Sequence, residues 1–119
     1  MHELAIAEAI VAIADRHARG RPVARVEVAV GHLRQVVPSA LEFAFELTAR
    51  GTAVEGAELA LRVVPAAVRC RSCGAVSEQD GFPLGCRSCG GWDVEVVAGE
   101  ELQVESLDVE EEERIAYDR

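Results

Sequence analysis

The chain contains no lysine, and its positive charge rests on 12 arginines against 21 acidic residues in 119. A net charge of −9 and a pI near 4.8 argue against binding a phosphate backbone, which needs clustered cations. Aromatic residues are only 4%, so a core must be built from Ala, Val, Leu and Ile, and half the residues being hydrophobic makes such a core feasible. No apolar run is long enough to cross a membrane. An acidic residue as early as Glu3 suits neither a secretory leader nor a transit peptide. There is no nucleophile–base set and no phosphate-cradling loop, so the chain does not read as an enzyme. Cysteine is absent outside residues 70–89. With those cysteines reduced, the expected compartment is the cytoplasm, with neither nucleic acid nor membrane as a partner.

The cysteines that are present form two matched pairs, Cys70-Arg71-Ser72-Cys73-Gly74 and Cys86-Arg87-Ser88-Cys89-Gly90, with twelve residues between Cys73 and Cys86. Two residues between thiolates let both sulfurs reach one ion at about 2.3 Å, and twin CxxC pairs close a tetrahedron. A glycine after each pair supplies the positive φ that curls the backbone beneath the sulfur. Two disulfides are a poor alternative in a reducing compartment, and a thioredoxin-like site would use one CxxC at a strand-to-helix junction. Zinc is the default occupant; iron in a rubredoxin-like site uses the same ligands and stays open. Four thiolates leave no position for substrate, so the metal holds the fold and the function lies elsewhere.

At this length the chain is one domain, or one domain carrying a small module. Residues 3–19 read as a helix, with Ile6, Ile10 and Ile13 on its stripe, Leu4 and Val11 widening it and His17 at the edge of the core. Gly20 and Pro22 end it. Residues 23–30 alternate as a strand with Val26, Val28 and Val30 inward, and His32 follows in a solvated loop. A second helix opens at Pro38-Ser39, where Ser39 and Glu42 form a capping box. Its wide apolar girth implies contact with the sheet and first helix, or a partner surface. Glu58–Val64 alternates again with Leu59, Leu61 and Val63 inward, which makes a βαβ unit with parallel strands. Residues 92–97 look like a strand leaving the cysteine stretch, with Trp92 as a lid on the metal module. Leu102–Val109 returns as the last strand, its phase slipping near Glu105-Ser106 as at a bulge. The expected fold is α/β: two helices packed on a small mixed three-stranded sheet, with an inserted four-cysteine, zinc-ribbon-like module. Residues 1–67 plus 99–119 form the α/β domain, and 68–98 the metal module. The acidic end (Glu110, Glu111, Glu112, Glu113 and Asp118 against Arg114 and Arg119) reads as a solvated tail rather than a catalytic cluster.

Met1-His2-Glu3 is the second informative stretch. The α-amine, the deprotonated His2 amide and His2 Nδ1 close fused five- and six-membered rings around an ion. Three coplanar nitrogens suit Ni(II) or Cu(II) better than Zn(II). The fourth donor is open between Glu3, through its amide or carboxylate, and a group from another protein. By itself the trio is unspecific, since any residue can follow Met1.

Together, the Met-His-Glu start, the α/β body and the four-cysteine insertion resemble the HypA/HybF family of nickel metallochaperones. Residues 37–45 (VPSALEFAF) and 51–57 (GTAVEGA) are similar to the family's pattern for the second helix and the following loop. The resemblance spans nearly the whole chain. It implies that His2 is the principal nickel ligand, supported by Met1 and Glu3, with Ni(II) carried as cargo. It implies that Cys70, Cys73, Cys86 and Cys89 hold a structural Zn(II). It also implies a nickel-handling GTPase and the hydrogenase large subunit as partners, service to hydrogenase and in some organisms urease, and a monomer or weak homodimer. One departure stands out: some members carry histidine just after a CxxC pair, where this chain has Gly74 and Gly90. His17 and His32 match no ligand of the family. Two other classes compete, a zinc-ribbon regulatory or interaction module and a rubredoxin-like electron carrier. Acidity speaks against the nucleic-acid form of the first, and visible colour would distinguish the second.

Overall fold

The computed structural model describes residues 2–110; Met1 and residues 111–119, including Glu111, Glu112, Glu113, Arg114, Asp118 and Arg119, lie outside them. The described residues form helix α1 (His2–Ala18), strand β1 (Val23–Gly31), a 3-10 turn at His32–Arg34 and helix α2 (Pro38–Thr48). Strands β2 (Glu58–Val64), β3 (Ala66–Cys70), β4 (Val76–Gln79), β5 (Val94–Ala98) and β6 (Leu102–Val109) follow. The strands make two three-stranded sheets, ordered β2-β1-β6 and β4-β3-β5. Two helices with small sheets and a four-cysteine stretch is thus the architecture, as the residue pattern implies, and that stretch carries a second, antiparallel three-stranded sheet of its own. The described residues divide into two compact units, residues 2–28, 36–60 and 104–110 in one, 29–35 and 61–103 in the other.

In the first unit the core is mainly aliphatic, as the scarcity of aromatics requires: Ile6, Ile10, Val11, Val26, Val28, Leu41 and Val54 are buried, with Phe45 among them. The buried stripe of α1 differs from the isoleucine stripe. Ala7, Ala14 and Ala18 are buried while Leu4 is exposed and Ile13 only half-buried. Small side chains on the inner face let α1 approach α2 closely. His17 is not at the core edge; it is exposed, and its Nδ1 lies 2.8 Å from the Ile13 carbonyl. Asp15 accepts the Ala53 N–H at 2.9 Å, tying α1 to the loop after α2.

The Glu110 N–H reaches the Pro22 carbonyl, and the Gly31 N–H the Glu101 carbonyl, so β6 runs antiparallel to β1. Arg25, near the start of β1, bonds Glu58, the first residue of β2, which places those two starts at one end of the sheet. The burial of β6 slips phase between Val104 and Leu107, where the alternation of its side chains slips. In β2, Val63 is not inward; it is 52% exposed, because β2 is an edge strand with less covering either face.

The capping box at Ser39 does not form. Pro38 takes the first helical position, where its fixed φ fits and its missing N–H costs nothing, so the cap moves back to Val37 and Ser39 lies inside the helix. Val37 has no capping side chain of its own. Its N–H is instead taken by the Glu3 carboxylate at 3.0 Å. The N-cap N–H is the group that a capping-box glutamate serves within one helix; here it is served from α1. Only part of the apolar girth of α2 is covered: Leu41, Ala44 and Phe45 are buried, whereas Phe43 stands 63% exposed and Leu47 is exposed beside it.

In the second unit, β3 is the middle strand, antiparallel to both β4 and β5, with a register shift at Ala67/Val68. Gly31 and Gly99 are forced by close approach. A Cβ on Gly31 would overlap the Gly99 carbonyl, and one on Gly99 would press on Ala66. The same segment is tied by Leu33 N–H to the Gly99 carbonyl at 2.8 Å. Gly31→Ala should therefore cost at least the ~1–3 kcal/mol typical of overpacking, read as a lowered thermal midpoint. An unchanged midpoint would show that this contact yields freely.

Candidate metal centres

The two CxxC pairs fold into matching knuckles. Cys70 ends β3, and its N–H donates to the Ala75 carbonyl at 2.9 Å; Cys86 does the same to Gly91 at 2.8 Å. The Gly74 N–H returns to the Cys70 carbonyl at 2.9 Å and the Gly90 N–H to the Cys86 carbonyl at 3.0 Å. Both glycines sit at positive φ, +79° and +81°, as the curl requires. Backbone N–H groups point at the first sulfur of each pair: Cys73 N lies 3.5 Å from Cys70 Sγ, and Ser88 N and Cys89 N each 3.3 Å from Cys86 Sγ.

The four sulfurs converge, all within 4.8 Å of one another and none joined in a disulfide. Cys70 and Cys89 Sγ are 3.7 Å apart, and Cys73 and Cys86 Sγ 3.6 Å. Around an ion with metal–sulfur bonds of about 2.3 Å, a regular tetrahedron has edges of about 3.8 Å. The donor set therefore fits one tetrahedral metal ion. Each of the two short contacts joins one knuckle to the other.

Proton affinities divide along the same lines. The Cys89 N–H, seconded by that of Ser88, holds Cys86 down to about 6 against the opposing effect of burial. The Cys73 N–H likewise lowers Cys70. At Cys89 the Gly91 N–H pulls downward, but the Cys70 and Cys86 sulfurs outweigh it and push the thiol up to about 11. At Cys73 the Ala75 N–H is outweighed in the same way, chiefly by the Cys86 sulfur. The buried first cysteine of each pair is thus the more acidic and its exposed partner the less acidic. A divalent cation stabilises all four as thiolates, so binding releases protons and weakens in acid.

Neighbouring groups hold the knuckles in place. The Arg71 N–H bonds the Asp93 carbonyl at 2.9 Å, and the Arg71 guanidinium reaches Asp93 Oδ1 at 2.9 Å and the Val94 carbonyl at 3.1 Å. Gln79, buried at the end of β4, was not foreseen from the sequence. Its amide donates to the Gly85 carbonyl at 2.9 Å and accepts the Gly85 N–H at 3.3 Å, clamping the residue before Cys86 as a neighbouring strand would. A lone glutamine in a loop-flanking strand carries no sequence signal for this. Gln79→Ala should leave both half-buried Gly85 groups without their partner and speed metal loss to a chelator. Release at the native rate would show that the clamp does not hold the second knuckle. Trp92 is only partly the lid expected: its ring packs over Gly85, yet the side chain is 70% exposed. His32 is exposed, and its Nε2 lies 2.9 Å from the Asp80 carbonyl.

The N-terminal trio is arranged differently. His2 opens α1 with its side chain 52% exposed, and its Nε2 lies 3.2 Å from Glu3 Oε2. The Glu3 side chain is only 16% exposed. The Val37 N–H bond lowers the Glu3 pKa below its ordinary value, against a smaller opposing effect of burial, with a lesser lowering from His2. The tie is therefore complete above the ordinary carboxylate range and is lost as pH falls through the lower, folded value. Met1 lies outside the described residues.

Fold and site together define a small α/β metal-binding protein with a closed four-sulfur centre. A family model described as "Hydrogenase/urease nickel incorporation, metallochaperone, hypA" matches residues 1–109. The chain is 43% identical over 110 residues to the hydrogenase maturation factor HypA of Geobacter metallireducens, covering 92% of this chain and 100% of that protein. It is 40% identical over 111 residues to the HypA of a Nostoc species, covering 93% and 97%. The solution structure of the Ni metallochaperone HypA from Helicobacter pylori shares the fold, with a TM-score of 0.68 over 90% of this chain and 96% of that one at 22% identity. The chain belongs to the HypA family, metallochaperones of hydrogenase maturation, and is not an enzyme. No helix among the described residues is long and apolar enough to cross a membrane.

Proposed function

We propose that this chain binds Ni(II) at its N-terminus through Met1, His2 and Glu3 and delivers it for maturation of nickel–iron hydrogenase, with urease a further destination. The observation that carries this reading is His2 at the head of α1 with its side chain half exposed, in a family described by nickel incorporation. The ion held by Cys70, Cys73, Cys86 and Cys89 is Zn(II), a structural cofactor and not cargo, since four thiolates complete its shell. Residues 1–67 plus 99–119 then serve nickel and 68–98 serve zinc. Delivery takes place in the cytoplasm, to a nickel-handling GTPase and the hydrogenase large subunit.

In cells that depend on this chain for hydrogenase, His2→Ala should leave the enzyme unmatured at ordinary nickel supply. Raised nickel should restore activity, because mass action replaces the lost affinity. Full maturation by His2→Ala without added nickel would contradict the proposal.

A further inference from the structure

Glu3 Oε2 touches two groups at once: it accepts the Val37 N–H at 3.0 Å and lies at ion-pair distance, 3.2 Å, from His2 Nε2. One carboxylate oxygen has lone pairs for both. The two contacts have different consequences. The first joins the opening turn of α1 to the cap of α2, which no side chain of α2 serves. The second concerns the imidazole. A neutral ring carries one proton, and a carboxylate at Nε2 keeps it there, leaving the Nδ1 lone pair free. Nδ1 is the nitrogen that closes a six-membered ring with the His2 amide.

We propose that Glu3 is a positioning residue for the N-terminal nickel site: its carboxylate orients His2 with Nδ1 presented and anchors that end of α1 to α2. This deepens the proposed function and rests on it. The carboxylate is engaged on the far side of the imidazole from Nδ1, so it is not a nickel donor. A carboxylate behind a metal-bound histidine fixes its orientation and raises its basicity, and removing such a partner typically costs about 10–100-fold in metal affinity.

Two substitutions separate this from direct ligation. Glu3→Gln keeps a carbonyl oxygen where Oε2 stands and removes the charge that makes a good metal donor. Glu3→Ala removes the oxygen. Both would be read in the protein with its sulfur-bound metal retained, first without nickel by ¹⁵N spectra of the His2 ring and exchange of the Val37 amide, then by nickel titration. Glu3→Gln should keep the Nε2–H tautomer, the slow Val37 exchange and nickel affinity within a few-fold of native. Glu3→Ala should mix the tautomers, speed Val37 exchange and weaken nickel by about 10–100-fold. If Glu3→Gln loses nickel as fully as Glu3→Ala while its metal-free spectra stay native, the carboxylate is a ligand and the inference falls. It falls equally if Glu3→Ala leaves tautomer, amide and affinity unchanged. Should His2→Ala bind nickel as the native protein does, the terminal site itself is wrong, and the inference goes with it.

Discussion

Replacing one cysteine, Cys86→Ser, should release the structural metal and collapse the order of the β4-β3-β5 sheet. The strands there are short, four or five residues each, and the described apolar residues among them are few: Ala66 and Val68 are buried, whereas Val76 and Val97 are exposed. So small an apolar core cannot offset the entropy of ordering the knuckles. Structural zinc in small peptides supplies about 10–16 kcal/mol, which acts as folding free energy. Cys86 is the most telling position because three interactions converge on its sulfur: two N–H donors at 3.3 Å and the Cys73 sulfur at 3.6 Å. The expected result is loss of about one metal ion per chain, measured by elemental analysis, with loss of amide protection concentrated at residues 66–98. The aliphatic core around Ile10, Val26, Val28 and Leu41 should keep the helical circular dichroism signal. Undiminished metal content would contradict the assignment. A complete loss of helix would show that the first unit depends on the metal as well. Iron in the native protein, visible as thiolate colour, would replace zinc by a rubredoxin-like centre.

The second large effect concerns nickel. His2→Ala should abolish tight nickel binding while the sulfur-bound metal stays in full. An imidazole acting alone is one donor; joined to the α-amine and the intervening amide it closes two small rings. Little chain freedom remains to be lost, because α1 already orders the backbone from His2 onward. The His2 amide must give up its proton, which metal drives and acid opposes. Nickel affinity should therefore fall in acid. Direct titration with Ni(II), followed by the visible absorption of a planar amide-bound ion, reads both effects. Native-like affinity in His2→Ala would place the site elsewhere. Truncating the acidic end, residues 110–119, should change neither metal's stoichiometry.

Which features were legible from the residues follows from the range of the forces involved. The cysteine spacing with its trailing glycines acts over a few residues, and the knuckles formed as the pattern implies. Glu58–Val64 and Leu102–Val109 have the bounds read from the sequence, although Val63 of the first is exposed and the alternation of the second slips at Glu105-Ser106. Ala66–Cys70 and Val76–Gln79 carry little sequence signal because each is brief and owes its pairing to its neighbours in the sheet rather than to alternation. The cap of α2 was misread because Ser39-Glu42 satisfies a local rule that Pro38 overrides, and the partner that serves Val37 lies 34 residues away at Glu3. Gln79 is invisible for the same reason: its partner is chosen by the fold, not by neighbours in sequence. His17 fell out of the core because Ala14 and Ala18 took the buried positions around it.

The central claim is that nickel is held by the chain terminus together with His2. It is tested most directly by calorimetric nickel titration of the native protein beside a form extended by a few residues before Met1, both carrying the sulfur-bound metal. The extension leaves every side chain in place and removes only the free α-amine. The account predicts one tight nickel per native chain and none of comparable affinity in the extended form. Equal affinity in the two would contradict it and require a site built of side chains alone.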